Sequence, residues 1–189
     1  MKALFGLLLT FAFWMIAFAG TPTLGFDQEF YTLSRAEVRD NTTINDYLRD
    51  QDKNENWSRM LSFKRYDNTK KISEVLPAYM ASIKPNLAQK AKVFEKEDSQ
   101  HAEEILINFV TVASDRSHYE YVLQRFFSDP GQAVRSSAFR LRIPYEDNMD
   151  FSQFDKNRNK WINALEQVNP EFYKTLPTEA NEPKKRKQR

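Results

Sequence analysis

Cysteine is absent from the 189 residues, which removes disulfide frameworks, thiol nucleophiles, cysteine zinc sites and lipid attachment through cysteine. The fold must therefore be held by its core alone. Glycine is nearly as scarce: there are four, and two of them, Gly6 and Gly20, lie in or beside an N-terminal apolar stretch. Glycine-rich phosphate loops and nucleophile elbows are accordingly missing. No repeat at a fixed period is visible, which excludes solenoids and propellers. An excess of charge is also lacking. The formal net charge is only +2, and Lys184, Lys185, Arg186, Lys187 and Arg189 at the C-terminus supply more than all of it. The body in front of that tail is mildly acidic, which argues against nucleic acid as a partner.

What is present begins at the N-terminus. Met1-Lys2 is followed by an uncharged run from Ala3 to Ala19, rich in Leu and Phe and closing on Ala17-Phe18-Ala19. A short positive start, an apolar stretch and small residues at the positions a signal peptidase reads predict a secretory signal over residues 1–19, cleaved after Ala19. The rival reading is an uncleaved anchor, because the run is at the lower edge of the length a spanning helix needs. Residues 20–177 then suffice for one domain. Residues 178–189 read as a disordered basic tail, whose Lys184, Lys185, Arg186 and Lys187 would attract anionic membrane or envelope polymers. The expected location is the periplasm or the extracellular space.

Along the domain, Glu29 to Leu33 fits a short strand. The segment opening at Asn41-Thr42-Thr43 fits a helical turn or a strand, and Asp50 to Asn56 is a polar loop. Trp57 to Tyr66 alternates and predicts a strand. In Lys70 to Ser82 the apolar residues recur at steps of three and four, which predicts an amphipathic helix carrying Pro77 and ending at Pro85-Asn86. Strand-like runs follow at Lys92 to Glu97, Glu103 to Ala113 and Tyr119 to Phe127. A turn at Ser128-Asp129-Pro130-Gly131 leads into a last alternating run from Ala133 to Pro144. Phe151, Phe154, Trp161, Ile162, Leu165 and Val168 form one face of a closing helix, with Ser152 as cap and Pro170 as stop. The expected class is α+β: an antiparallel sheet of about five to six strands with two main helices packed against it.

The order of a strand opening at Asn56-Trp57-Ser58, a helix, a meander ending in Phe139-Arg140-Leu141-Arg142-Ile143 and a helix carrying Trp161 resembles PsbP-like domains and small exported bacterial proteins, over roughly Asn56 to Val168. That resemblance implies a non-enzymatic binding or assembly factor. It carries no functional residue with it.

The sharpest local pattern is Asp155, Asn157, Asn159 and Glu166, which matches oxygen positions of a calcium loop, but Lys160 stands where the sharp turn wants glycine. The same residues fit the wet face of the closing helix. His101 and His118, the only histidines, flank one strand and stand about 30 Å apart if it is extended, too far to share a metal. No serine has a nucleophile context, and no carboxylate pair stands out. Asn41-Thr42-Thr43 and Asn56-Trp57-Ser58 match the glycosylation sequon, which acts only in a eukaryotic host. Tyr119, Tyr121, Arg125, Arg135, Arg140 and Arg142 are expected to share an outer sheet face suited to an anionic or protein partner. The sequence thus points to an exported non-enzymatic binding or assembly module without a cofactor, bound to protein or to an anionic envelope component. The alternatives are a secreted hydrolase with an unlocated acid or serine site, and a domain tethered by a retained N-terminal anchor.

Overall fold

Two pairs of residues in the left-handed region, Asp27-Gln28 and Asp40-Asn41, reverse the chain twice near its start. Asp and Asn tolerate that conformation because their short polar side chains bond locally. The result is three antiparallel strands, β1 (Thr23–Phe26), β2 (Glu29–Arg39) and β3 (Thr42–Arg49). The computed structural model describes residues 22–95 and 99–179; the expected signal and nearly all of the expected tail lie outside them. The remaining elements are β4 (Arg59–Tyr66), α1 (Ile72–Ile83), β5 (Lys92–Glu95), β6 (Glu103–Val112), β7 (His118–Ser128), β8 (Val134–Pro144) and α2 (Ser152–Glu166), with 3-10 turns at Lys84–Asn86 and Pro170–Thr175.

All strands join one antiparallel sheet in the order β1-β2-β3-β4-β8-β7-β6-β5. The expectation of an α+β domain with five to six strands under two main helices is overturned: the sheet has eight strands and dominates the fold, and the helices are short, of 12 and 15 residues. The shortfall lies in the N-terminal third. There Ser34-Arg35-Ala36-Glu37 has the composition of a helix, but pairing of β2 with β3 from Tyr31 to Arg39 overrides that local preference. A bulge between Leu33 and Arg35 shifts the register of the two strands by one residue.

The sheet consists of two four-strand meanders, β1 to β4 and β5 to β8, joined along one ladder in which Met60 faces Arg140 and Lys64 faces Ser136. Side-chain alternation assigns its two faces. On the first, Tyr31, Tyr47, Leu61, Phe63, Tyr121, Leu123, Phe127 and Phe139 pack under Trp161 and Leu165 of α2 and under Tyr173 and Leu176 beyond it. Rings meet edge to face or tilted at 4.8 to 5.9 Å, as at Phe139–Trp161, Phe63–Tyr173 and Phe127–Tyr173, and each such burial stabilises by roughly 1.5–3 kcal/mol. The Trp161 indole N–H donates to Asp27 at 2.9 Å, tying α2 to the first turn. On the second face Ile107, Phe109, Val122, Phe126, Val134 and Ala138 pack under Ile72 and its neighbours on α1. Both helices take their N-terminal acceptors from outside the N-cap residue. The Glu103 carboxylate, from β6, accepts the Ile72 N–H at 3.1 Å, and Asp150 rather than Ser152 caps α2, accepting the Ser152 N–H at 2.9 Å.

Candidate functional site

Cross-strand partners share a face, so the register decides which arginines meet. Arg125 lies opposite Ser137 and Phe127 opposite Arg135, whereas Arg140 lies opposite Val122 and Arg142 opposite Glu120. The six residues expected on one outer face therefore divide: Tyr119, Tyr121, Arg125 and Arg135 lie on the α2 face, and Arg140 and Arg142 on the α1 face. The first four are not a surface at all, since each is less than a tenth exposed.

Arg125 and Arg135 are internal. Both guanidiniums stack on the Phe127 ring, at 4.3 and 4.6 Å from its centroid, and His101 lies on the same ring at 4.5 Å. The Arg125 Nε donates to Glu104 at 2.8 Å and its Nη1 to the Leu165 carbonyl. Arg135 pairs with Asp129. Asp129 also meets the His101 Nδ1 at 3.0 Å. Burial works against ionisation of Asp129, but the hydrogen bonds from His101 and Arg135 outweigh it and hold the carboxyl below its ordinary range. Each arginine in this group has a carboxylate in ion-pair contact, so the cluster orders the end of the β7–β8 hairpin, although the buried Arg135 Nε has no acceptor among the described residues.

The α1 face is different. Helix α1 lies mainly over β6 and β7 and touches β8 at Val134 and Ala138; toward β4, β3 and β2 the same face carries Arg35, Glu37, Asp46, Ser62, Lys64, Glu120, Arg140 and Arg142. Arg35 has Glu37 and Asp46 as partners, and Arg140 has Glu120 at 3.0 Å. Arg142 has no carboxylate in ion-pair contact, and Glu120 acts on it only at longer range. Its guanidinium lies over the Trp57 ring at 3.8 Å, covering the small apolar group of Leu48, Trp57 and Met60, and it donates to the Glu55 carbonyl at 3.3 Å. The Nε atoms of Arg140 and Arg142 are buried without an acceptor among the described residues. Lys64 is half-buried and forms no hydrogen bond or ion pair among the described residues. Burial, then the charge of Arg140, lowers its pKa. Between Lys64 and Arg140 the sheet presents the small, buried side chains of Ser62, Ser136 and Ala138. Cationic donors thus exceed acceptors here, the arrangement that recognises an anionic group.

A second concavity, a cleft of about 330 Å³, opens on the α2 face between the β5 edge and the start of α2. Gln89, Lys92, Asn108, Tyr121, Met149, Asp150, Phe151, Ser152 and Asp155 line it. Tyr121 is thus brought to a site, although not with the arginines expected beside it.

The other sequence candidates resolve as follows. Asp155, Asn157, Asn159 and Glu166 all belong to α2, where Asp155 meets Arg158 at 3.2 Å and Lys92 at 3.5 Å. A regular helix cannot wrap an ion as a twelve-residue loop does, so the calcium pattern is corrected to a helix surface. No group of three or more metal-ligating side chains occurs among the described residues. His101 and His118 lie at opposite ends of the β6–β7 pair. The polar loop before β4 is organised rather than loose: Asp52 accepts the Ser58 and Arg59 N–H groups at 3.0 Å and pairs with Arg49. Lys184, Lys185, Arg186 and Lys187 lie outside the described residues. Lys64 and Asn108 were missed by sequence reasoning. The alternation of β4 places Lys64 beside Met60 and Ser62 on one side, but only the pairing of β4 with β8 brings it near Arg140.

A model of an uncharacterised protein family matches residues 19–169. No curated protein and no solved structure matches the chain.

Proposed function

The chain belongs to the family matched over residues 19–169, and we propose that it is an exported, non-enzymatic binding module that holds an anionic component of the envelope or extracellular space on the open part of its α1 face. One observation carries this reading: Lys64 and Arg142 are half-buried cations with no carboxylate in ion-pair contact among the described residues, Asp46 and Glu37 acting on Lys64 and Glu120 on Arg142 only at longer range. Holding a cation partly out of water without a counter-charge costs free energy, and a bound anion recovers it. The likeness of Asn56 to Val168 to PsbP-like domains points to the same non-enzymatic class. Export is supported by the composition of residues 1–19 and by the start of the family match at residue 19, where the apolar run ends. A mature product beginning near Gly20, read by mass spectrometry, is the expected outcome, and an intact N-terminus in membranes is the result for a tethered domain.

Binding is tested with phosphatidylglycerol vesicles and with soluble polyphosphate. The double variant Lys64→Gln, Arg142→Gln is expected to lose at least about tenfold in affinity, whereas deletion of Lys184–Arg189 leaves most of it. Equal binding by the double variant overturns the assignment, and loss on deletion alone transfers the activity to the tail.

The hydrolase alternative has two fragments in its favour, the His101–Asp129 contact that in a Ser–His–Asp triad orients the base and a Ser117 Oγ–His118 Nδ1 contact at 2.8 Å, but they lie at opposite ends of the β6–β7 pair and do not combine. At His101 the nucleophile half is missing. The Ser99 hydroxyl donates to Glu104, and no hydroxyl bonds the His101 Nε2 among the described residues. Binding is therefore the reading the geometry favours.

A further inference from the structure

We infer that the cleft between the β5 edge, β6 and the start of α2 is a second binding site, for a neutral polyhydroxylated small molecule such as a sugar or polyol. At its base Asn108 and Tyr121 are 2% and 1% exposed, and the Asn108 amide N–H donates to the Tyr121 hydroxyl. Neither residue is then saturated. The Tyr121 hydroxyl proton has no acceptor and the Asn108 carbonyl oxygen has no donor among the described residues. Turning the amide round exchanges the two ends but still leaves one of them unpartnered. Burial pushes the Tyr121 phenol up to about 12, so it keeps its proton and remains a donor. An orphaned donor and an orphaned acceptor side by side are both satisfied by a group that accepts and donates at once, and a ligand hydroxyl is that group.

The rim decides the charge of the ligand. Lys92 and Asp155 pair with each other at 3.5 Å, and Asp155 also meets Arg158. Asp150 is committed to capping α2, accepting from the Ser152 N–H and hydroxyl at 2.9 and 2.8 Å. With Arg158 counted, two cations stand against the carboxylates of Asp150 and Asp155, so the rim carries no net charge and has no surplus cation for an anion. Gln89, half-buried with no hydrogen bond among the described residues, adds a further donor and acceptor, and Met149 and Phe151 supply an apolar wall for the C–H face of a ring. At about 330 Å³ the cleft is at the lower end of the size range of small-molecule sites, roughly 300–1,000 Å³.

The test is a titration of the full mature chain with glucose, N-acetylglucosamine, trehalose and glycerol, followed through backbone amide NMR shifts. Saturable shifts at Asn108, Tyr121 and Phe151 with at least one probe are expected. Tyr121→Phe keeps the ring packed on Phe154 and Trp161 and is expected to weaken binding about tenfold, the scale of one lost hydrogen bond to a ligand, with a melting temperature lowered by the loss of the Asn108 partner. Gln89→Ala, at a half-buried position, serves as the second variant and is expected to weaken binding severalfold. The Lys64→Gln, Arg142→Gln chain is expected to titrate like the parent, which separates this site from the anion site. No saturable shift with any probe, or an unchanged affinity in both Tyr121→Phe and Gln89→Ala, overturns the inference.

Discussion

Two pairs of arginines on one hairpin have opposite fates. Arg125 and Arg135 point to the α2 face, where they share the Phe127 ring and each has its own carboxylate, Glu104 or Asp129. Arg140 and Arg142, a few residues later on β8, point to the α1 face, where Glu120 forms the single ion pair, with Arg140, and Trp57 is the cushion of Arg142. Composition and chain position are nearly the same, so the difference lies in what covers each face. Where a helix closes the face, a charge is tolerated only if it is matched; where the face stays open, unmatched charge persists and is available to a partner.

The largest effect that separates the two pairs is expected from Arg125→Met. It leaves Glu104 buried without its cation and is expected to cost about 3–5 kcal/mol in urea denaturation, while Arg140→Met, whose partner Glu120 is less deeply buried, costs about 1–2 kcal/mol. Equal losses would break the comparison.

Acid titration gives the next test. The folded pKa of Asp129 lies below its ordinary value of 3.8, so its contribution to stability is complete above that value and is lost as pH falls through the lower folded pKa. Asp129→Asn is expected to reduce stability at neutral pH and to flatten the acid limb of the stability curve. A parallel downward shift at all pH values contradicts this role.

On the open face the sign reverses. The pKa of Lys64 is depressed from 10.5 in the folded chain, so the cost of its charge is present at neutral pH and is relieved as pH rises through the folded pKa toward 10.5. Lys64→Met is expected to stabilise the unliganded protein by up to about 1 kcal/mol at pH 7, an advantage that shrinks toward pH 10 while anion binding is lost. A destabilised variant would mean that the ammonium has a partner after all. The smallest effect is expected for Arg142→Lys, which exchanges a planar guanidinium over Trp57 for a point charge. A loss of about 0.5–1 kcal/mol, read together with a change in Trp fluorescence, sharpens the assignment of that stacked pair.

The C-terminal meander and both helices were legible because their signals are local. The β8 run from Ala133 to Pro144 alternates without interruption, and the apolar face of α2 recurs at helical spacing. The sheet's size was not legible, because β1 and β2 turn at Asp27-Gln28 with no glycine to mark the reversal and β2 passes through a helix-like stretch. For the candidate site, Arg140 and Arg142 were identified, but grouping them with Arg125 and Arg135 ignored parity across the turn. Arg125 faces Ser137, so it shares a side with the odd-numbered residues of β8 and cannot meet Arg140. Lys64 and Asn108 carried no signal, since each becomes distinctive only through neighbours that lie far away in the chain.

The ladder between β4 and β8 has a consequence for how the protein is made. Met60 must wait for Arg140, so until synthesis has passed the end of β8 the first meander has an open margin bearing Met60, Leu61 and Phe63, a template for mispairing with another nascent chain. Neither meander is an autonomous unit. A polypeptide interrupted between α1 and β8 would have half a sheet with nothing to zip against, and closing this long-range seam is expected to set the pace of maturation.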